Sequence, residues 1–131
     1  MEAIWNQGNY EQIETFVAPE YTIRHDPGDQ WEGQTLDHAT FKERVQYSRN
    51  AFPDLKFTIL DMVAEGNKVT ASWTMSGTQQ GELAGAPASG RPLNTTGITI
   101  YDFENGKVRG HWQAYDRLTA VAQLGLLENL G

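Results

Sequence analysis

Hydrophobic positions recur at helical spacing over the first two-fifths of the chain and at every second residue through most of the remainder. A short helical piece, "EAIW", comes first. Asn9 then stands three residues before Gln12, the spacing of a capping box, ahead of "YEQIETFV". The run "YTIRHD" alternates, with Tyr21, Ile23 and His25 on one face and Thr22, Arg24 and Asp26 on the other. From about Asp37 to Phe52 the period is helical again: Phe41, Val45 and Phe52 form one stripe, and Pro53 ends it. Beyond Pro53, "LKFTILDMVA" puts Phe57, Ile59 and Val63 on one side, and "EGN" is a turn. "KVTASWTMSG" sets Val69, Ala71, Trp73 and Met75 against Thr70, Ser72 and Thr74. A loop rich in glycine and proline, Gly81 to Pro92, leads into "NTTGITIYDF" and "VRGHWQAYD", joined through Asn105-Gly106. "RLTAVAQLG" is a short closing helix stopped by Gly125.

Helices first and a strand meander afterwards predict an α+β fold. A curved, mostly antiparallel sheet wraps the long Asp37–Phe52 helix, short helices lie at both ends, and a pocket separates helix from sheet. The Asn105-Gly106 turn fixes a register. It sets Phe103 opposite Val108, Tyr101 opposite Gly110, Thr99 opposite Trp112, Gly97 opposite Ala114 and Thr95 opposite Asp116, all on one side. The other side carries Ile98, Ile100 and Asp102 with Arg109, His111, Gln113 and Tyr115. A β-bulge within the pair would exchange part of the two sets.

Composition narrows the classes. The 131 residues suit a single domain spanning 1–131. With no cysteine, disulfides and thiolate metal sites are excluded, and a reducing cytoplasm is the expected location. A net charge of -7 repels nucleic acid and anionic lipid. No apolar run is long enough to span a membrane, and the N-terminal residues lack the pattern of a signal peptide.

The candidate chemistry centres on Asp116. If the first face lines the pocket, this carboxyl ends an aromatic cavity, where burial raises its pKa and suits it to take and return a proton. An Asp between strand and helix is also a favoured N-cap, and spacing alone leaves both readings open. His25, on the face of Tyr21 and Ile23, points inward, to meet a substrate, to tune Asp116, or as a satisfied core histidine. His111 falls on the opposite face, in a structural or dimer-face role, and His38 at an exposed helix start. The three histidines lack metal-ligand spacing, so no metal is expected. Trp31, Trp73, Tyr101 and Trp112 are candidates to line a cavity for a flat apolar ligand, with plain core packing as the alternative. The glycines of "GELAGAPASG" follow no strand-to-helix turn of the phosphate-binding kind and suggest a lid instead.

An ordered set of short pieces carries a resemblance over nearly the whole chain. It comprises "WNQGN", "HDP", "AFPDLKF", "WTMSGT" followed by "GEL", a loop closed by "SGRP", and "GITIYDFENGKVRGHWQAYDRLTAVAQLG". This set resembles the SnoaL-like polyketide cyclase family, of the nuclear transport factor 2-like (cystatin-like) fold. The resemblance implies a cone-shaped α+β barrel with a deep cavity, often a homodimer through the outer sheet face. It implies intramolecular aldol closure of a hydrophobic, polyketide-like carbonyl substrate, without metal or cofactor, by an acid/base Asp that matches Asp116. Relatives often carry a His after the "GT" of the middle strand, where Gln79 and Gln80 stand here; an amide can donate to an enolate oxygen but cannot titrate. Relatives also carry further helical turns before "AIWNQGN", which implies a thinner cavity wall at that end. The alternatives are a non-catalytic binding protein of the same fold, or a related isomerase or hydrolase. An epoxide hydrolase would want an Asp-Arg-Asp set, whereas Asp116 and Arg117 would diverge on a strand.

Overall fold

A computed structural model describes residues 2–125. Its elements are α1 (Glu2–Trp5), a 3-10 turn (Tyr10–Gln12), α2 (Ile13–Phe16), β1 (Val17–His25), β2 (Thr35–Leu36), α3 (His38–Ala51), β3 (Lys56–Glu65), β4 (Lys68–Thr78), β5 (Pro92–Glu104), β6 (Lys107–Tyr115) and α4 (Arg117–Gln123). The fold is α+β. Its curved sheet has six strands in the order β2-β1-β6-β5-β4-β3, antiparallel except for the β1–β6 pair. The sheet does not close into a barrel, because β2 and β3 remain its two edges.

The long helix forms where the pattern places it. The Asp37 carboxylate accepts the Thr40 amide at 2.8 Å, which caps α3, and Phe52 ends it ahead of Pro53. Phe41 and Val45 pack into a core with Tyr21, Ile23, Leu36 and Val108, while Ala51 and Phe52 join Leu55, Leu93, Ala120 and Leu124 in a second cluster. Arg44 lies on the same buried stripe. The expected helix over "YEQIETFV" is cut short, and Asn9 makes no side-chain cap. Val17, its last residue, already pairs with Val108 in the sheet, so tertiary pairing overrides the local helical pattern. Among the described residues, no helix is long and apolar enough to cross a membrane.

Two irregularities decide what faces the helix. In β6 the ladder runs Phe103–Val108 and then Asp102–Gly110, so Arg109 is an extra residue. From there the register differs from the regular one: Tyr101 opposes His111, Ile100 opposes Trp112, Thr99 opposes Gln113 and Gly97 opposes Tyr115. In β1, Ile23 pairs with His111 and His25 with Trp112, so Arg24 is extra there. Each bulge shifts the following side chains to the other face. Both bulge residues are arginines and both grip one buried carboxylate. Asp102 accepts Arg24 Nε at 3.1 Å, Arg24 Nη2 at 2.7 Å and Arg109 Nε at 2.8 Å. Gly110 is required beside them, since a methyl there would lie 2.7 Å from the Thr22 carbonyl.

Candidate functional site

Between α3 and the concave face lies a cavity of about 300 Å³. Trp5, Phe52, Phe57, Trp73, Met75 and Leu93 give it apolar walls, and Asp26, Asp29, Arg44, His111 and Gln113 give it one polar end. The two bulges build that end. The β1 irregularity turns Asp26 inward just beyond the strand, and the β6 irregularity turns His111 and Gln113 towards it.

The polar end is a connected cluster. Asp26, 3% exposed, accepts His111 Nε2 at 2.8 Å and Arg44 Nη2 at 3.1 Å, both on Oδ2. Its Oδ1 accepts only Gln113 Nε2, at 3.4 Å, among the described residues. Arg44 Nε also donates to Asp29 at 2.9 Å, and its guanidinium lies 5.2 Å over the Trp5 ring. The Tyr21 hydroxyl donates to His111 Nδ1 at 2.5 Å, so His111 carries its own proton on Nε2, facing Asp26. Burial pushes His111 below the ordinary histidine value against the pull of Asp26, which keeps the ring neutral. Two carboxyl groups, Asp26 and Asp29, thus face the one guanidinium of Arg44. Burial also raises the phenols of Tyr21, Tyr101 and Tyr115, which therefore remain proton donors. Among the described residues no group of acidic, histidine or cysteine side chains is placed to hold a metal.

The residues singled out in the sequence separate. Trp31, Trp73 and Tyr101 line the cavity. Trp112 does not: the β6 bulge turns it to the outer face, 44% exposed, where it stacks on His25 at 4.5 Å between ring centres. His25 is likewise outside, half-exposed, with Glu32 3.7 Å from its Nδ1. Asp116 is exposed and lies away from the cavity lining. It caps α4, accepting the Thr119 hydroxyl at 2.6 Å and amide at 3.1 Å, and these bonds hold its carboxyl below the usual range. The expected rise in its pKa is therefore reversed, because the group is solvated and hydrogen-bonded instead of buried. His38, expected at the surface, is half-buried and donates to the Val17 and Ala18 carbonyls.

Gln79 serves the loop instead of a substrate. It is fully buried, donating to the Gly81 and Pro87 carbonyls and accepting from the Ser89 hydroxyl. The loop is rooted on α3, where the Ala51 carbonyl accepts the Gln80 and Gly81 amides. Its tip, a tight turn at Ala84-Gly85, reaches back to α3 through the Ala84 amide, which donates to the Tyr47 hydroxyl at 2.7 Å. Ala84 and Tyr47 both line the cavity.

Sequence reasoning missed Asp26, His111, Gln113, Arg44 and Tyr21. Two signals were present. A glycine within a strand, Gly110, marks a bulge. An arginine on the apolar stripe of a helix, Arg44 beside Phe41 and Val45, requires a buried carboxylate partner.

The family model of SnoaL-like polyketide cyclases matches residues 1–124. A crystal structure of a candidate polyketide cyclase from Acidithiobacillus ferrooxidans is similar at 41% identity and a TM-score of 0.87, over 95% of this chain and 87% of that one. TsrD from Streptomyces laurentii is similar at 33% identity and a TM-score of 0.82, over 96% and 90% of the two chains. IdmH from Streptomyces antibioticus, a candidate polyketide cyclase, is similar at 27% identity and a TM-score of 0.77, over 95% and 92%. No curated protein matches the chain.

Proposed function

The chain belongs to the SnoaL-like polyketide cyclase family, and from that premise we propose that its cavity takes a small hydrophobic, polyketide-like carbonyl compound and closes a ring in it by aldol condensation, with Asp26 as acid and base. The observation that carries this reading is the asymmetry of Asp26. His111 and Arg44 hold Oδ2, and Oδ1 has a single long contact in the cavity lining. A methylene between two carbonyls gives its proton to such a carboxylate because the resulting enolate is delocalised. The enolate carbon then bonds to a second carbonyl carbon of the same chain, and the new alkoxide takes the proton back from Asp26. This addition, the ring-closing part of the condensation, gains and loses no atom, and one carboxyl serves both transfers. Arg44 supplies positive charge, and the un-ionised phenols of Tyr101 and Tyr115 supply hydrogen-bond donors, near the developing oxyanion. The aromatic walls hold the chain folded, and such preorganisation contributes on the order of 7–11 kcal/mol.

The test uses a hydrophobic β-diketone as probe and follows protein-dependent deuterium exchange at its methylene by NMR. Asp26→Asn is expected to lower the protein-dependent rate by roughly 10²-fold or more, with Asp116→Asn at the wild-type rate. Exchange by Asp26→Asn at the wild-type rate would refute the assignment, and loss in Asp116→Asn alone would return the role to Asp116.

The same premise supports a homodimer through the convex face. Val63, Thr70, Ile100 and Trp112 form one row across that face, and Leu60, Ile98 and Ala114 lie beside it. Val63 is 65% and Leu60 60% exposed, and neighbouring exposed apolar side chains of this kind suit an association surface.

A further inference from the structure

The hydrogen bonds that reach Asp26 Oδ1 form one relay, its sense set by the Gln113 amide oxygen that faces Thr99 and can only accept. An indole N–H can only donate, and Trp73 Nε1 donates to Thr99 Oγ1 at 2.8 Å. The ring is held for this by Gly97, opposite Trp73 in the sheet, where a methyl group would lie 2.4 Å from Trp73 Cζ2. Thr99, 1% exposed, donates its own proton to Gln113 Oε1 at 2.7 Å. With its oxygen so engaged, the Gln113 amide presents its NH₂ group to Asp26 Oδ1. Turned the other way, Gln113 would set its oxygen against Oδ1 unless that oxygen carried a proton. Amide orientation and carboxyl protonation are therefore linked.

We propose that Thr99 is a positioning residue: by fixing which end of the Gln113 amide meets Asp26, it keeps an N–H donor on Oδ1, the arrangement that favours the carboxylate over the acid. The catalytic consequence rests on the acid/base role of Asp26; the hydrogen-bond relay does not. Among the described residues, the other groups around Asp26 leave Oδ1 alone. Arg44 from α3 and His111 from β6 bond Oδ2, and Asp29 shares Arg44. Tyr21, Tyr101 and Tyr115 feel its charge from β1, β5 and β6, and Glu32 accepts its backbone N–H.

The experiment titrates the Asp26 carboxyl by ¹³C NMR in ligand-free protein, its resonance assigned by Asp26→Asn. Thr99→Val keeps the volume and removes the donor, so the Asp26 titration is expected to move up by roughly half to one pH unit. Thr99→Ser, which keeps the hydroxyl, is expected at the wild-type value. In a Gln113→Leu background, Thr99→Val should add no further shift, because the amide through which it acts is gone. An unmoved titration in Thr99→Val, an equal shift in Thr99→Ser, or a full additional shift in the double variant would each overturn the proposal. If Asp26→Asn kept its exchange activity, the catalytic reading would fall while the titrations still reported on Thr99.

Discussion

His111 is neutral in the folded protein because burial outweighs its attraction to Asp26. That sets the sign of a pH effect on stability. Between the ordinary histidine value of 6.5 and the lower value of the folded state, the unfolded chain binds a proton that the folded chain does not. The stability from this group is complete above pH 6.5 and drains as the pH falls through the folded value. Thermal melting of the wild type should therefore begin to decline just below pH 6.5, and in His111→Gln that part of the slope should be absent. An unchanged slope in the variant would mean that His111 is not held neutral by its surroundings. Asp116 acts in another way at the same scale. Its shift comes from local bonds at a helix start, so Asp116→Asn keeps a capping side chain and leaves the cavity cluster untouched.

At the scale of strands, the outer-face carboxylate Asp102 governs the cavity it never touches, because it holds both extra residues, Arg24 and Arg109. Its bonds with Arg24 and Arg109 keep it below the usual carboxylate range, with burial opposing. Its contribution to stability is complete above about 3.8 and is lost as the pH falls through its lower folded value. Asp102→Ala should cost about 2–3 kcal/mol in urea unfolding. It should also loosen both bulges, seen as faster amide exchange at Arg24 and Arg109; protection equal to the wild type would separate the bulges from Asp102. Here the limit of the sequence becomes physical. Period two reveals a strand and its two faces, and the strands were legible apart from the two-residue β2, too short to show a period. An inserted residue leaves the alternation intact on either side and exchanges the faces beyond it. The set of His111 and Gln113 was therefore legible and its direction was not, and His25 was read as inward where Asp26 is. The long helix and its stop at Pro53 were both local, and both were readable.

For the whole molecule, the apolar convex face and the net charge of -7 act in opposite senses on association. If two copies pair through that face, Ile98→Asp should shift sedimentation from dimer to monomer with the cavity intact, since Ile98 points away from it. A wild-type monomer at high protein concentration would rule the pairing out. One feature ties the molecule together from within. Along α3, Arg44 grips the carboxylates at the cavity floor, Tyr47 holds the tip of the covering loop, and Ala51 anchors that loop's root. Floor and roof are thus fastened to a single rod. A guest that nudges α3 sideways displaces both ends of its own chamber at once, so entry at the roof and contact with the floor share one mechanical coordinate.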